Sequence, residues 1–160
     1  MDIKRPQSKQ PIPPNAKKVF KGVIFDVYQW EQKMFDGTRA TFERAKRQDS
    51  VTILPVLPDG KILLAEQEQP GHPLFIGGLG GRIEEDEDVL TAAHRELLEE
   101  SGYTAERFDL WVALNQLPKT DWAVYVFIAK GLKKVSELNL DAGEKIKLLP
   151  KTLDELINLA

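Results

Sequence analysis

The stretch GRIEEDEDVLTAAHRELLEESGY, residues 81–103, constrains the fold of this chain more than any other feature. It predicts a helix from Asp88 to Ser101, because acidic residues crowd its start, where the helix dipole favours anions. Gly102 follows the last turn as a C-cap. The apolar stripe of this helix, which we expect to face the core, consists of Leu90, Ala93 and Leu97.

Three glutamates converge near the C-terminal end of the predicted helix. Glu96 and Glu100 are neighbours at i,i+4 spacing beside the apolar stripe, and Glu99 lies slightly further round. Like charges at this spacing repel, and anions at a helix C-terminus oppose the dipole. A solvated acidic face would carry interleaved lysines, whereas Arg95 is the only cation on the helix. A divalent cation would remove the repulsion, and an all-oxygen cluster suits Mg2+ or Mn2+ rather than Zn2+.

The fixed positions of this stretch resemble the Nudix box, and the chain therefore resembles the Nudix hydrolases. The pattern is Gly-x5-Glu-x7-Arg-Glu-U-x-Glu-Glu-x-Gly-U, in which U is a bulky apolar or aromatic residue. The matching residues are Gly81, Glu87, Arg95, Glu96, Leu97, Glu99, Glu100, Gly102 and Tyr103. The resemblance implies a metal-dependent enzyme that hydrolyses a nucleoside diphosphate linked to another group.

The resemblance also implies roles for the residues of the box. Arg95 is expected to orient the carboxylates, Glu87 to hold the loop and the helix together, and Gly81 and Gly102 to serve the structure. The expected metal contacts are the carboxylates of Glu96 and Glu100, that of Glu99 directly or through water, and the backbone carbonyl of Gly80.

A general base is needed as well, and Nudix relatives take it from a box glutamate such as Glu99 or from an acid on a late loop. Here that loop spans residues 136–145 and offers Glu137, Asp141 and Glu144. We choose Glu144, because GEKIKLLPKTLDEL resembles the family segment in which a Glu precedes a strand and the last helix. The alternative for each acid is a solvated loop position.

Composition indicates one domain with a real core. The chain has 160 residues, 42% of them hydrophobic, and no Cys, which is compatible with the cytoplasmic location that we expect. No apolar run is long enough to span a membrane. The net charge of −3 gives no nucleic-acid footprint, so nucleic acid is not an expected partner. We expect a proline-rich extended tail at 1–15 and a single domain at 16–160, and it stays open whether the natural C-terminus lies further on.

Apolar patterns predict strands at 19–32, 40–47, 51–57, 61–67, 110–117 and 122–129, a loop at 69–80, and a last helix capped by Thr152 and Glu155. The turn Pro58-Asp59-Gly60 predicts a central hairpin of its two flanking strands. Strands around two helices predict an α+β architecture: a mixed sheet sandwiched between helices (α/β/α), preceded by N-terminal antiparallel strands. This is also the Nudix fold.

The N-terminal half resembles the ADP-ribose and nucleoside diphosphate sugar pyrophosphatase branch of the family. FDGTRATFERAKRQDSVTILPV resembles the run into the first core strand of that branch, and Pro118 stands fifteen residues after Tyr103, a spacing typical of the ADP-ribose group. Two positions depart from the branch: Gly77 replaces a usual Glu, and Glu68-Gln69 replaces a usual Tyr-Arg. Another nucleoside diphosphate sugar therefore stays open as the substrate.

In that branch the N-terminal strands often build a homodimer and bind the nucleoside across it. The resemblance thus implies that Trp30 stacks on a base and that Arg44 or Arg47 meets phosphate. The alternative is that the aromatic residues belong to an interface or the core. Two other functions also stay open: a different Nudix activity, on damaged nucleoside triphosphates or RNA 5′ ends, and a non-catalytic Nudix-fold ligand sensor.

Overall fold

The contacts of the chain divide it into two units. The computed structural model describes residues 3–115, 117–140 and 142–158. One unit comprises Met1–Asp49 with Ala113–Val124, and the other comprises Ser50–Val112 with Tyr125–Ala160. Neither of the helices described here is long and apolar enough to cross a membrane. The single domain expected over 16–160 stays a prediction.

The described residues form strands and two helices in the following order: β1 (Lys17–Lys21), β2 (Asp26–Lys33), β3 (Arg39–Lys46), β4 (Ser50–Pro55), β5 (Ile62–Gln69), β6 (His72–Gly77), α1 (Val89–Ser101), β7 (Tyr103–Leu114), β8 (Thr120–Asp121), β9 (Val124–Lys134), β10 (Lys145–Lys151) and α2 (Leu153–Ile157). The predicted α+β class with N-terminal antiparallel strands is confirmed.

The N-terminal unit carries a four-stranded sheet in the order β1-β2-β3-β8. Strands β1 to β3 are antiparallel, and β8 lies parallel to β3. The single strand predicted at 19–32 is wrong, because the chain reverses between β1 and β2, where the Gly22 N–H donates to the Phe25 carbonyl at 3.0 Å. The apolar run 23–25 favoured a continuous strand in the prediction. In the structure its side chains are exposed, as the residues of a turn are, instead of packing against a core.

The Pro58-Asp59-Gly60 turn forms, and the predicted hairpin is present only beside it, where Val56 and Ile62 pair antiparallel. The Gly60 N–H donates to the Leu57 carbonyl at 2.9 Å, as a tight turn requires. Beyond the turn the strands join different sheets, β5 the sheet β10-β5-β6 and β4 the sheet β4-β9-β7. The reason is competition between partners: β5 pairs along its length with β10, while Ile53 in β4 exchanges hydrogen bonds with Leu79.

The predicted loop at 69–80 contains strand β6, which pairs antiparallel with β5. Gly71, with φ 75°, lies in the turn between these strands. The Pro70-Gly71 pair therefore indicates a chain reversal and not a long loop. Strand β7 begins at Tyr103 and β9 continues to Lys134, both longer than predicted. Exposed charged residues in these extensions interrupt the apolar pattern without ending the pairing.

Helix α1 matches its prediction to within one residue. Asp88 caps its start by accepting from the N–H groups of Leu90 and Thr91, and Gly102 ends it at φ 71°. The predicted capping box of Thr152 and Glu155 is also present at the start of α2. Fully buried core side chains on α1 and the sheets beside it are Ala92, Ala93, Leu97, Ile53, Leu79 and Phe127.

Candidate active site

Helix α1 carries two buried carboxylates beside its apolar face. Glu96 is 9% exposed and Glu100 is 4% exposed, whereas Glu99 is half-buried. Glu96 and Glu100 follow Ala92 and Ala93 around the same side of the helix, so the packing that buries these alanines also draws the carboxylates inward. The sequence therefore placed the three acids correctly relative to the core.

Arg95 connects the carboxylates with the loop before the helix. Its Nε and Nη2 atoms donate to the two oxygens of Glu87 at 2.9 and 3.0 Å, a bidentate pair that joins loop and helix. Its Nη1 atom donates to Glu96 at 2.8 Å and to Glu99 at 3.0 Å. A further bond from Nη2 reaches the Arg82 carbonyl at 2.9 Å. One guanidinium thus fixes the orientation of three carboxylates.

Two consecutive glycines let the backbone approach the cluster. A Cβ atom on Gly81 would lie 2.5 Å from Glu96 Oε1, so a side chain there would displace this carboxylate. Gly80 has φ 141°, and a Cβ atom on it would collide with the Val51 carbonyl. The Gly80 N–H donates to Glu100 Oε2 at 2.6 Å. Gly80 therefore contacts the cluster through its backbone nitrogen. The predicted contact between the Gly80 carbonyl oxygen and a metal ion stays a prediction.

The electrostatics of the cluster favour an added positive charge. The pKa of Glu100 is raised to about 8, and burial is the largest cause. The bond from the Gly80 N–H opposes this rise, and the charges of Glu96, Glu144 and Glu99 contribute to it. Burial is also the main cause that raises the pKa of Glu96, with Glu144 again contributing. Arg95 is the counter-ion that the structure supplies, and its pKa is raised chiefly by the bond to Glu87.

The donor set fits a hard divalent cation. The groups available are carboxylate oxygens and backbone atoms, which Mg2+ and Mn2+ prefer. Within residues 3–115, 117–140 and 142–158, no three His, Asp or Glu side chains are already arranged as a metal site. The hydrogen bonds explain this, because Arg95 and the Gly80 N–H hold the oxygens that a cation would share.

Of the two late-loop acids that the structure describes, Glu144 is the one whose charge acts on the cluster. It stands directly before β10, is half-buried, and acts on the pKa values of both Glu96 and Glu100. Glu137 is solvent-exposed and lies 3.7 Å from Lys134. Asp141 lies outside the described residues.

The predicted substrate residues lie in the N-terminal unit and only partly converge. Trp30 and Arg44 line a groove of about 540 Å3, and Arg44 and Pro118 line a second one of about 570 Å3. Trp30 faces Phe42 across the β2–β3 pair, with ring centroids 6.1 Å apart. Arg47 lines neither groove, since its guanidinium lies 4.5 Å above the ring of Trp122.

Arg44 is the most unusual of these residues, because it is charged and only 4% exposed. Its Nη2 atom donates to the Thr120 carbonyl at 2.8 Å. Its Nε and Nη1 atoms have no hydrogen-bond partner within the described part of the chain. A buried guanidinium with two unsatisfied donors is costly unless an acceptor reaches it, so this position suits an anion.

Sequence reasoning missed the tail residues Gln10, Pro11 and Pro13, which line the groove beside Trp30. A proline-rich extended segment has no periodicity that would indicate its packing partner. Lys119 was missed as well; it lines both grooves and has a left-handed φ of 61°. The only available signal was its place next to Pro118.

Comparison with known proteins gives concordant matches. Residues 46–155 match a family model described as the NUDIX domain. The chain is 30% identical over 146 residues to an ADP-ribose pyrophosphatase of Bacillus subtilis (strain 168). The aligned region covers 89% of this chain and 79% of that relative. The chain is also 27% identical over 145 residues to a methanol dehydrogenase activator of Bacillus methanolicus, covering 89% and 78%. A solved ADP compounds hydrolase matches with a TM-score of 0.76 and 25% identity, over 96% of this chain and 85% of that chain.

Proposed function

Because the chain belongs to the NUDIX family and is a Nudix hydrolase related to ADP-ribose pyrophosphatases, we propose that it hydrolyses the diphosphate bond of ADP-ribose or a similar nucleotide sugar. The products are a nucleoside monophosphate and a sugar phosphate. The observation that carries this proposal is the cluster of carboxylates on helix α1, in which Arg95 bonds to Glu96 and Glu99 and the Gly80 N–H bonds to the buried Glu100.

Nudix hydrolases generally use divalent metal ions, and we assign Mg2+, or Mn2+ in its place, to this cluster. The residues assigned to hold it are Glu96 and Glu100, with Glu99 directly or through water and the backbone carbonyl of Gly80. A bound divalent ion neutralises the charge of a diphosphate and activates water for attack. The raised pKa of Glu100 supports the assignment, because an added cation relieves the repulsion that contributes to it.

The side chains around the cluster prepare it for this task. Arg95 keeps Glu96 and Glu99 oriented before a cation binds, and its bond to Glu87 prevents the guanidinium from swinging away. Gly81 leaves space for the Glu96 carboxylate. The unfavourable free energy of bringing like charges together is therefore offset when the protein folds, and the site does not have to be rearranged in each catalytic cycle.

We assign the general base to Glu144, with Glu99 as the alternative. The base accepts a proton from the attacking water, whose oxygen forms a bond to one phosphorus of the diphosphate while the bond from that phosphorus to the bridging oxygen breaks. The bridging oxygen leaves with the other phosphate. Glu144 is favoured because its charge acts on both Glu96 and Glu100.

The N-terminal unit is assigned to the nucleoside and its phosphate. Trp30 offers an aromatic face for stacking a base in the 540 Å3 groove. The unsatisfied Nε and Nη1 atoms of Arg44 are donors for a phosphate oxygen. Pro118 lines the adjoining groove beside Arg44. Arg47 is assigned a secondary place, because its guanidinium already stacks on Trp122.

A homodimer is part of the proposal. The hairpin formed by β1 and β2 exposes a run of large apolar side chains, namely Val19, Phe20, Val23, Ile24 and Phe25. Several large apolar side chains exposed on one hairpin favour an interaction surface there. A second copy of this chain is the partner that the resemblance to the ADP-ribose branch implies.

Hydrolysis of a substrate panel tests the proposal. The panel consists of ADP-ribose, several nucleotide sugars, dinucleoside polyphosphates and oxidised nucleoside triphosphates, each with Mg2+, Mn2+ or EDTA. We expect ADP-ribose or one nucleotide sugar to be cleaved selectively to a nucleoside monophosphate, and only with a divalent ion. Selective cleavage of a triphosphate would favour the other Nudix activity, and tight binding without any cleavage would favour a ligand sensor.

A further inference from the structure

Arg5, in the N-terminal tail, bonds to two aspartates of its own unit. The Nε atom of Arg5 donates to Asp49 Oδ2 at 2.7 Å, and Nη2 donates to Asp49 Oδ1 at 2.9 Å. The same Nη2 reaches Asp121 Oδ1 at 3.0 Å. We call this three-residue arrangement the Arg5 clasp. It joins positions that are 44 and 116 residues apart in sequence.

Both aspartates of the clasp are themselves held in place. Asp49 Oδ1 accepts from the Ala123 N–H at 2.8 Å, and Asp121 Oδ1 accepts from Asn115 Nδ2 at 3.0 Å. Their side chains are 18% and 15% exposed. A bidentate arginine pair on fixed, largely buried carboxylates is stronger than an ordinary surface ion pair. The clasp is therefore a defined anchor point for the tail.

The segment that follows the clasp forms walls of the two grooves assigned to the nucleotide. Gln10, Pro11 and Pro13 line the groove that contains Trp30. Ser8, Lys9 and Gln10 line the groove that contains Pro118. Arg44, with its unsatisfied donors, belongs to the lining of both. The tail thus encloses the place where an anion would meet Arg44.

We propose that Arg5 is a positioning residue for ligand binding: its clasp holds residues 8–13 as a preformed wall of these grooves. This inference rests on the proposed function, which assigns the grooves to the nucleoside half of the substrate. A wall that is ordered before binding saves the ligand the entropic cost of ordering it. Loss of the clasp releases the wall and lowers ground-state affinity, while the carboxylates of α1 keep their own hydrogen bonds.

The test compares Arg5→Ala with Lys4→Ala and Arg5→Lys in the full-length chain. Lys4→Ala removes the same charge from the neighbouring, exposed position and leaves the clasp intact. Two quantities are measured: the rate at which trypsin cleaves after Lys9, and kcat and KM for ADP-ribose with Mg2+. We expect Arg5→Ala to accelerate cleavage and to raise KM by about tenfold with kcat within about twofold of wild type. Lys4→Ala should match wild type, and Arg5→Lys should recover part of the loss.

The two readouts separate the inference from the function on which it rests. Unchanged tryptic cleavage in Arg5→Ala, or faster cleavage with an unchanged KM, would overturn the role of Arg5. Arg44→Met reports on the grooves themselves, and an unchanged KM in that variant would contradict their assignment to the nucleotide. A wild-type protein that leaves ADP-ribose intact would contradict the choice of substrate, and the cleavage rates would still decide whether Arg5 holds the tail.

Discussion

Gly81 shows how the absence of one side chain sets the position of a carboxylate. A Cβ atom there would meet Glu96 Oε1 at 2.5 Å, and the flexible end of Glu96 can move aside without disturbing the backbone. We predict that Gly81→Ala weakens apparent Mg2+ affinity in hydrolysis assays by about tenfold while changing Tm little. Gly77→Ala is the matched control, because its Cβ would meet only Phe75 at 3.8 Å. Equal Mg2+ affinity in both variants would contradict this role.

Glu100 gives the metal-free protein a distinct dependence of stability on pH. Its folded-state pKa of about 8 lies above the ordinary 4.5, so protonated Glu100 favours the folded state. That contribution is complete below the ordinary value and is lost as pH rises through the folded value. In EDTA, we predict that the stability of wild type relative to Glu100→Gln falls by on the order of a few kcal/mol between about pH 5 and pH 9. Thermal unfolding of both proteins measures this, and parallel pH profiles would argue against the raised pKa.

At the scale of elements, helix α1 depends on how Gly102 ends it. Gly102 has φ 71°, and a Cβ on it would collide with the Ser136 carbonyl. Gly60 has a similar φ of 83° but open space around the position of its Cβ. We predict that Gly60→Ala lowers the free energy of unfolding by roughly 1 kcal/mol and Gly102→Ala by at least ~2 kcal/mol. Denaturant unfolding tests the difference, and equal losses would mean that the close approach to Ser136 has no cost.

The elements that the sequence predicted well are those specified by neighbouring residues. Helix α1 has its cap, its apolar stripe and its terminal glycine within one short segment, and its boundaries were accordingly right. The hairpin of β4 and β5 was right only beside the turn, at Val56 and Ile62, because the partners of the rest of β4, such as Leu79 for Ile53, are distant in sequence. Strand β6 was missed because the glycines around it have the composition of a loop.

The candidate site divides in the same way. The bond of Arg95 to Glu99 follows from helical i,i+4 spacing and could be anticipated. The bonds to Glu87 and Glu96 were expected from the resemblance to the Nudix box rather than from helical spacing. The Arg5 clasp could not, because no local pattern relates Arg5 to Asp49 or Asp121. The burial of Arg44 was equally hidden, since an arginine in an alternating strand is ordinarily expected on the exposed face.

At the scale of the whole molecule, the exposed apolar hairpin predicts a dimer. Val23 is 95% exposed, and its apolar neighbours share the same hairpin. We predict that the wild-type protein has a mass in solution of twice its chain mass of 18.1 kDa and that Val23→Glu shifts it to the monomer, because a buried unpaired charge disfavours the interface. Light scattering after size exclusion measures this, with Val135→Glu as a control at an exposed valine of the other unit. A monomeric wild type would contradict the dimer.

The central claim is that the carboxylates of α1 hold a divalent ion that drives hydrolysis of a nucleoside diphosphate derivative. The most direct measurement is the rate of ADP-ribose hydrolysis against Mg2+ concentration for wild type, Glu100→Gln and the exposed control Glu85→Gln. We predict that wild type and Glu85→Gln form AMP and that EDTA abolishes this activity. For Glu100→Gln we predict that kcat falls at least about a hundredfold while the circular dichroism spectrum stays unchanged. Turnover by Glu100→Gln at the wild-type rate at saturating Mg2+ would contradict the metal site.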